Sequence, residues 1–187
     1  MNQPAGTLVL VVGPSGVGKD TLINGARAAL AADPRFVFVR RIVTRQADAA
    51  LEDHDTLDLA AFAALEAAGG LALSWQAHGL CYGLPASVRA QIERGLVVIA
   101  NGSRQTLTQA RDRFPTCQVL LITADMSLRA ARLAQRGRED AEAVAARLAR
   151  ETAPLPAGIN PVVIDNSGTP AQGIAELVEA LQSIARH

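Results

Sequence analysis

The chain has 187 residues, 49% hydrophobic and 3% aromatic, so it can bury one compact core, filled mainly by Ala, Leu and Val. Lys+Arg and Asp+Glu are both 18, and a net charge of zero argues against a broad electrostatic grip on nucleic acid. The first residues carry no basic region followed by a long apolar run, and Leu8 to Val12 is too short for a membrane span, so a soluble cytoplasmic protein with no membrane partner is expected.

In chain order, Leu8 to Val12 is a continuous β-branched and leucine run bounded by glycine, which predicts a buried parallel strand. Lys19 to Ala32 reads as a helix closed by Asp33-Pro34, and Phe36 to Val43 as a second strand. Arg45 to Asp55 is polar and irregular, a loop. Leu59 to Ala68 is a helix stopped by Gly69-Gly70, Leu71 to Trp75 a short strand, and Pro85 to Arg94 a helix with proline in its first turn. Leu96 to Ala100 and Val119 to Thr123 are buried strands. Helices follow over Ser127 to Arg136 and Ala141 to Glu151, then a strand over Val162 to Ile164 and a helix over Ala171 to Ala185. Strands alternating with helices imply an α/β fold, a parallel sheet flanked by helices, with ligands outside the carboxyl ends of the strands.

The strongest chemical signal is Gly13-Pro14-Ser15-Gly16-Val17-Gly18-Lys19, placed between the first strand and the first helix. Glycines let the backbone curl so that N–H groups converge on phosphate oxygens, and the helix N-terminus adds its dipole. Lys19 is the chain's only lysine and reaches the terminal phosphates of a nucleoside triphosphate as a point charge. The hydroxyl residue that usually follows, a Mg²⁺ ligand, is replaced by Asp20, with Thr21 next. A carboxylate is a good Mg²⁺ ligand and also a favourable acid at a helix start. The strand Leu96 to Ala100 ends in Asn101, where many such kinases carry an acid, which suggests that the acid has moved into the loop.

Arg129, Arg132 and Arg136 recur at helical spacing, and Arg147 and Arg150 follow. Phosphoryl transfer needs cations on the moving group, and the arginine fork suits phosphate. Arg136 and Arg147 are therefore expected to be catalytic, while Arg129 and Arg150 read as surface residues. Cys81 and Cys117 form neither a CxxC pair nor a metal-ligand spacing and read as reduced thiols.

Gly13 to Lys19, Thr44-Arg45, Tyr82-Gly83, Arg132-Leu133 with Arg136-Gly137, and Arg147-Leu148 follow the order of the guanylate kinase-like proteins, which the chain resembles over nearly its whole length. Within them it is most similar to the ribose 1,5-bisphosphate phosphokinases of phosphonate breakdown. That resemblance rests on Gly18-Lys19-Asp20, Glu52-Asp53-His54, Leu73-Ser74-Trp75, Ala77-His78-Gly79-Leu80, Asn101-Gly102-Ser103-Arg104 and Arg136-Gly137-Arg138-Glu139. Gln46 departs from it, standing where proline is expected.

The resemblance implies ATP and Mg²⁺ bound by Gly13 to Thr21, with Asp20 on the metal, and an acceptor phosphate held by Arg45 and Tyr82. It implies Arg132 stacked on adenine and Asn166 at the adenine edge; a turn residue before Ser167-Gly168 is the equal alternative for Asn166. Glu52 and His54 are assigned to ribose hydroxyls, with a solvated loop as the alternative, and Arg104, beside Asn101, to the second phosphate of a sugar bisphosphate; a helix start capped by Ser103 is the plainer reading of Arg104. Leu73 and Leu84 stand where guanylate kinases read the base, which disfavours a nucleoside monophosphate kinase, and the intact loop disfavours a non-catalytic interaction module. The expected organisation is one kinase domain over 1–187, with an acceptor-binding region near 40–84 and a lid and arginine region near 129–150; a homodimer is left open.

Overall fold

The computed structural model describes residues 6–45, 54–77, 79–135 and 154–186. Its main sheet has five parallel strands: β1 (Thr7–Val12), β2 (Phe36–Val39), β7 (Val97–Asn101), β8 (Gln118–Thr123) and β9 (Val162–Asp165), in the order β2-β7-β1-β8-β9. The alternation of side chains along β1 sorts the core into two layers. Val9 and Val11 face helix α1 (Lys19–Ala29) through Leu22 and Ala26, and helix α6 (Pro170–Ile184) through Leu177 and Leu181. Leu8, Leu10 and Val12 face helix α3 (Ser87–Glu93) through Val88 and helix α4 (Leu107–Arg113) through Leu107 and Ala110. Both faces of the sheet are thus covered at its centre, where β1 and β7 are almost wholly apolar, while Val162 and Val163 of the edge strand β9 are exposed.

A second sheet, ordered β4-β3-β6-β5, stands over the carboxyl ends of the first. It comprises β3 (Arg41–Val43), β4 (His54–Thr56), β5 (Leu71–Ala77) and β6 (Leu80–Pro85), and helix α2 (Leu59–Ala67) packs Phe62 against Ile42 and Leu71. Asp58 caps α2, its carboxylate accepting from Ala61 N at 2.7 Å. The segment predicted as one strand, Phe36 to Val43, is two: β2 pairs with β7, the chain turns at Arg40, and β3 joins the other sheet. The Arg40-Arg41 pair marks the break, but local pattern does not show that the two halves join different sheets.

Three elements lie where the sequence predicts none: β4, β6 and α4. The loop expected over Arg45 to Asp55 ends in a strand, because His54 and Asp55 pair with Arg41 and Ile42 of β3. β6 contains Gly83 and ends at Pro85, residues that weaken a strand signal, and it forms because β5 and β3 pair with it from both sides. α4 is short and polar, with only Leu107 and Ala110 buried. Helix α5 (Met126–Gln135) leads out of the described region; the helix expected over Ala141 to Glu151 falls outside it. No helix among the described residues is long and apolar enough to cross a membrane. Burial pushes the Cys117 thiol up to about 11, which makes it a poor nucleophile.

Candidate active site

The turn between β1 and α1 has the geometry that its glycines predict. Gly16 and Gly18 sit at φ 80° and 90°, a region that side chains rarely adopt. A Cβ on Gly18 would lie 2.6 Å from Asn166 Nδ2, and one on Gly16 would lie 2.9 Å from Arg129 O. The loop is therefore tightly backed by protein, with little room for any side chain.

Three residues hold it from behind. Arg129 is 6% exposed and its Nε donates to Ser15 O at 3.1 Å. Arg132 donates from Nη1 to Val17 O at 3.3 Å and from Nη2 to Asn166 O at 3.2 Å. Asn166, 3% exposed, donates from Nδ2 to Val17 O at 2.6 Å, and its Oδ1 is buried without a partner. The surface reading of Arg129 is thus corrected: its guanidinium is buried because the loop carbonyl is there to receive it. Burial of Asn166 makes it a brace for the loop in this geometry, more than the turn residue that the sequence offered as one alternative.

At the mouth of the loop, Lys19 Nζ donates to Gly13 O at 2.6 Å and Pro14 O at 3.2 Å, so the ammonium is folded over the loop that it serves. Asp20 opens α1, and Asn101 Nδ2 donates to Asp20 Oδ1 at 2.8 Å. The two positions paired from sequence as an exchange of acid and amide are thus in direct contact. Asn101 is 8% exposed, and its Oδ1 has no partner. A carboxylate and an orphaned amide oxygen side by side suit Mg²⁺, which accepts one or two protein oxygens and takes the rest from phosphates and water. Among the described residues no group of three His, Cys, Asp or Glu could hold a metal, so a cage made of protein alone is not formed there.

A cleft lined by Asp20, Ile23, Asn24, Arg27, Val39, Arg41 and Asn101 runs from this mouth to the second sheet. There Thr44 is locked to β6: its N–H donates to Cys81 O at 3.0 Å, and its Oγ1 accepts from Cys81 N at 2.8 Å. This brings the Thr44-Arg45 and Tyr82-Gly83 motifs together. Arg45 is half-buried beside that junction. Tyr82 stacks on Trp75, ring centroids 5.5 Å apart and 10° from parallel, and Arg41 Cζ lies 5.6 Å from the Tyr82 ring centroid. Arg104 opens the 3-10 turn Arg104–Thr106 after β7, where Ser103 accepts from Gln105 N at 3.4 Å; the capping that the plainer reading foresaw is present, and Arg104 is half-buried.

Leu73 and Leu84 are opposite each other across β5 and β6, and both are fully buried among Val88, Leu107 and their neighbours. Neither position offers a hydrogen bond to a base edge. Glu52, Arg136 and Arg147 lie outside the described residues, as do Asp53, His78 and Arg150. Sequence reasoning passed over Arg41; the signal available was an arginine pair, Arg40-Arg41, interrupting an apolar run.

No family model matches the chain. Curated proteins do. It is 48% identical over 184 residues to the ribose 1,5-bisphosphate phosphokinase of Brucella melitensis, covering 98% of this chain and 96% of that one. It is 49% identical over 181 residues to the protein of that name in Methylobacterium radiotolerans, covering 95% and 98%. Among solved structures it matches guanylate kinase from Anaplasma phagocytophilum with a TM-score of 0.68 at 14% identity, covering all of this chain and 90% of that one, a likeness of fold. With a guanylate kinase-like P-loop fold and relatives of nearly half-identical sequence along almost its entire length, the chain belongs to the ribose 1,5-bisphosphate phosphokinase family.

Proposed function

We propose that the protein transfers the γ-phosphoryl group of ATP to the 1-phosphate of ribose 1,5-bisphosphate, forming 5-phospho-α-D-ribose 1-diphosphate and ADP. One observation carries the choice of acceptor. The positions that would read a base are a buried leucine pair, Leu73 and Leu84, while the cleft beside Asp20 and Asn101 is lined by Arg27 and Arg41. A base placed there would leave its polar edge unsatisfied, whereas a sugar phosphate needs cations and hydroxyl partners.

In the mechanism, residues Gly13 to Thr21 cradle the triphosphate with backbone N–H groups at the start of α1. Lys19 follows the β- and γ-phosphates. Asp20, oriented by Asn101, would hold Mg²⁺, which supplies charge neutralisation when bound. Arg132, which donates to Val17 O and Asn166 O, would stack on adenine. Arg45 and Tyr82 hold the reacting phosphate, Arg104 the second one, and Glu52 the ribose. An oxygen of the 1-phosphate attacks the γ-phosphorus, and the bond to the β-phosphate oxygen breaks as ADP leaves. The attacking oxygen is already anionic at neutral pH, so no strong base is required. Arg136 and Arg147, in a lid over about 129–150, stabilise the transferring group; residues 40–84 form the acceptor-binding region of a single domain. In this reading the enzyme is cytoplasmic and acts on small molecules without a nucleic-acid partner.

The test is ADP release from Mg²⁺-ATP with ribose 1,5-bisphosphate or GMP as acceptor. Turnover with the sugar bisphosphate and not with GMP is expected. Turnover with GMP alone would make the protein a guanylate kinase.

A further inference from the structure

Four side chains on one face of the second sheet form a row that sequence reasoning did not assemble. Arg41 and His54 are register partners on the parallel strands β3 and β4, so their side chains leave the sheet on the same side. Tyr82 pairs with Val43, two residues from Arg41, and shares that face. Trp75 pairs with Tyr82 and stacks on it, and the Arg41 guanidinium lies over the Tyr82 ring. Arg41 also lines the cleft that holds Asp20 and Asn101, so this face looks towards the site of phosphoryl transfer.

His54 is 5% exposed. Its Nδ1 lies 3.4 Å from Thr56 Oγ1, and its Nε2 is buried with no hydrogen-bond partner. A buried ring nitrogen without a partner is unfavourable, and a donor held beside a guanidinium suits an anion. The tautomer with Thr56 donating to Nδ1 presents Nε2–H as that donor.

Spacing separates two phosphates. Arg41 and Arg45 are four residues apart on a segment tied to β6 by the Thr44–Cys81 bonds, and at an extended rise their backbones are about 13 Å apart. Long arginine side chains reaching inward from such positions can bracket the two ends of a sugar bisphosphate.

Resting on the activity proposed above, we infer that Arg41 and His54 bind the phosphate that does not react, completing with Arg104 the site that selects a bisphosphate. Stacking on Tyr82 holds the Arg41 fork in place and joins this subsite to the reacting one, because Tyr82 serves both.

The test separates the two phosphates by binding. Ribose 5-phosphate carries only the remote phosphate, and ribose 1-phosphate only the reacting one. Each is titrated at up to millimolar concentration into the wild type, Arg41→Gln and His54→Phe, with a non-hydrolysable ATP analogue bound; affinity for the analogue is the folding control. Arg41→Gln is expected to weaken ribose 5-phosphate roughly tenfold or more and His54→Phe several-fold, with ribose 1-phosphate nearly unchanged. If Arg41→Gln fails the folding control, Arg41→Lys is read in the same way, since it keeps charge and loses the fork. Equal losses for both sugars, a loss confined to ribose 1-phosphate, or no binding of ribose 5-phosphate by the wild type would overturn the inference. Arg41-dependent binding of ribose 5-phosphate, without turnover of ribose 1,5-bisphosphate by the wild type, would leave the subsite standing and remove the proposed reaction.

Discussion

Asp20 and Asn101 stand where a phosphate loop usually has a hydroxyl and the following strand an acid. Each arrangement carries one negative charge and one neutral oxygen, so the exchange would preserve the charge offered to a Mg²⁺ ion bound there. Asp20→Ala is therefore expected to weaken Mn²⁺ binding, read by electron paramagnetic resonance in the presence of an ATP analogue, by roughly tenfold or more. Asn101→Asp alone would set two carboxylates in contact, and one would take up a proton. The double exchange, Asp20→Ser with Asn101→Asp, should recover binding to within a few-fold. Failure of the double exchange to improve on Asp20→Ala would show that the pair does not act as one ligand set. The oddity of Asp20 was legible in the sequence, because the pattern around it is rigid. Its contact with Asn101, 81 residues away, needed two strands of the sheet to be neighbours.

At the level of elements, the loop is positioned by parts of the chain that follow it by more than a hundred residues. Arg129 and Arg132 come from α5, and Asn166 from the end of β9. Asn166→Ala would remove the donor to Val17 O and open space beside Gly18 and Gly173. A loss of about 1–3 kcal/mol in unfolding free energy is expected, measured by denaturant titration. The same variant separates the two roles of this residue. A brace for the loop predicts that ATP and GTP affinities fall together, whereas a contact to the adenine edge predicts that discrimination between them is lost. The helical spacing of Arg129 and Arg132 was visible in sequence; that Arg129 faces inward was not. Its burial depends on where α5 lies against the loop, which no local pattern specifies.

For the whole molecule, the cleft beside Asp20 and Asn101 is shared by the parallel sheet that carries the phosphate loop and a second sheet that carries Arg41, His54 and Tyr82. The second sheet shares the apolar layer on one side of the first, since Leu73 and Leu84 pack with Leu8 and Leu10. This makes Leu73 and Leu84 part of the core. Leu73→Glu, which reintroduces an acid, is expected not to create activity towards GMP. It should destabilise the protein by about 3 kcal/mol or more, seen as a lowered denaturation midpoint, because the carboxylate would be buried without a partner. Recovery of GMP turnover in a stable variant would contradict this placement.

The amino-acid sequence by itself determined the phosphate loop, the alternation of strands and helices, and the apolar character of positions 73 and 84. These depend on short-range quantities: glycine spacing, side-chain period and the chemistry of single residues. Tertiary structure decided that Phe36 to Val43 divides between two sheets, that Arg129 is buried, that Asp20 meets Asn101, and that Arg41 and His54 share the cleft face. Each of these is a pairing between segments distant in the chain. Such pairings are selected by the packing and hydrogen bonding of the assembled core, and the residues that take part carry no mark of their partner.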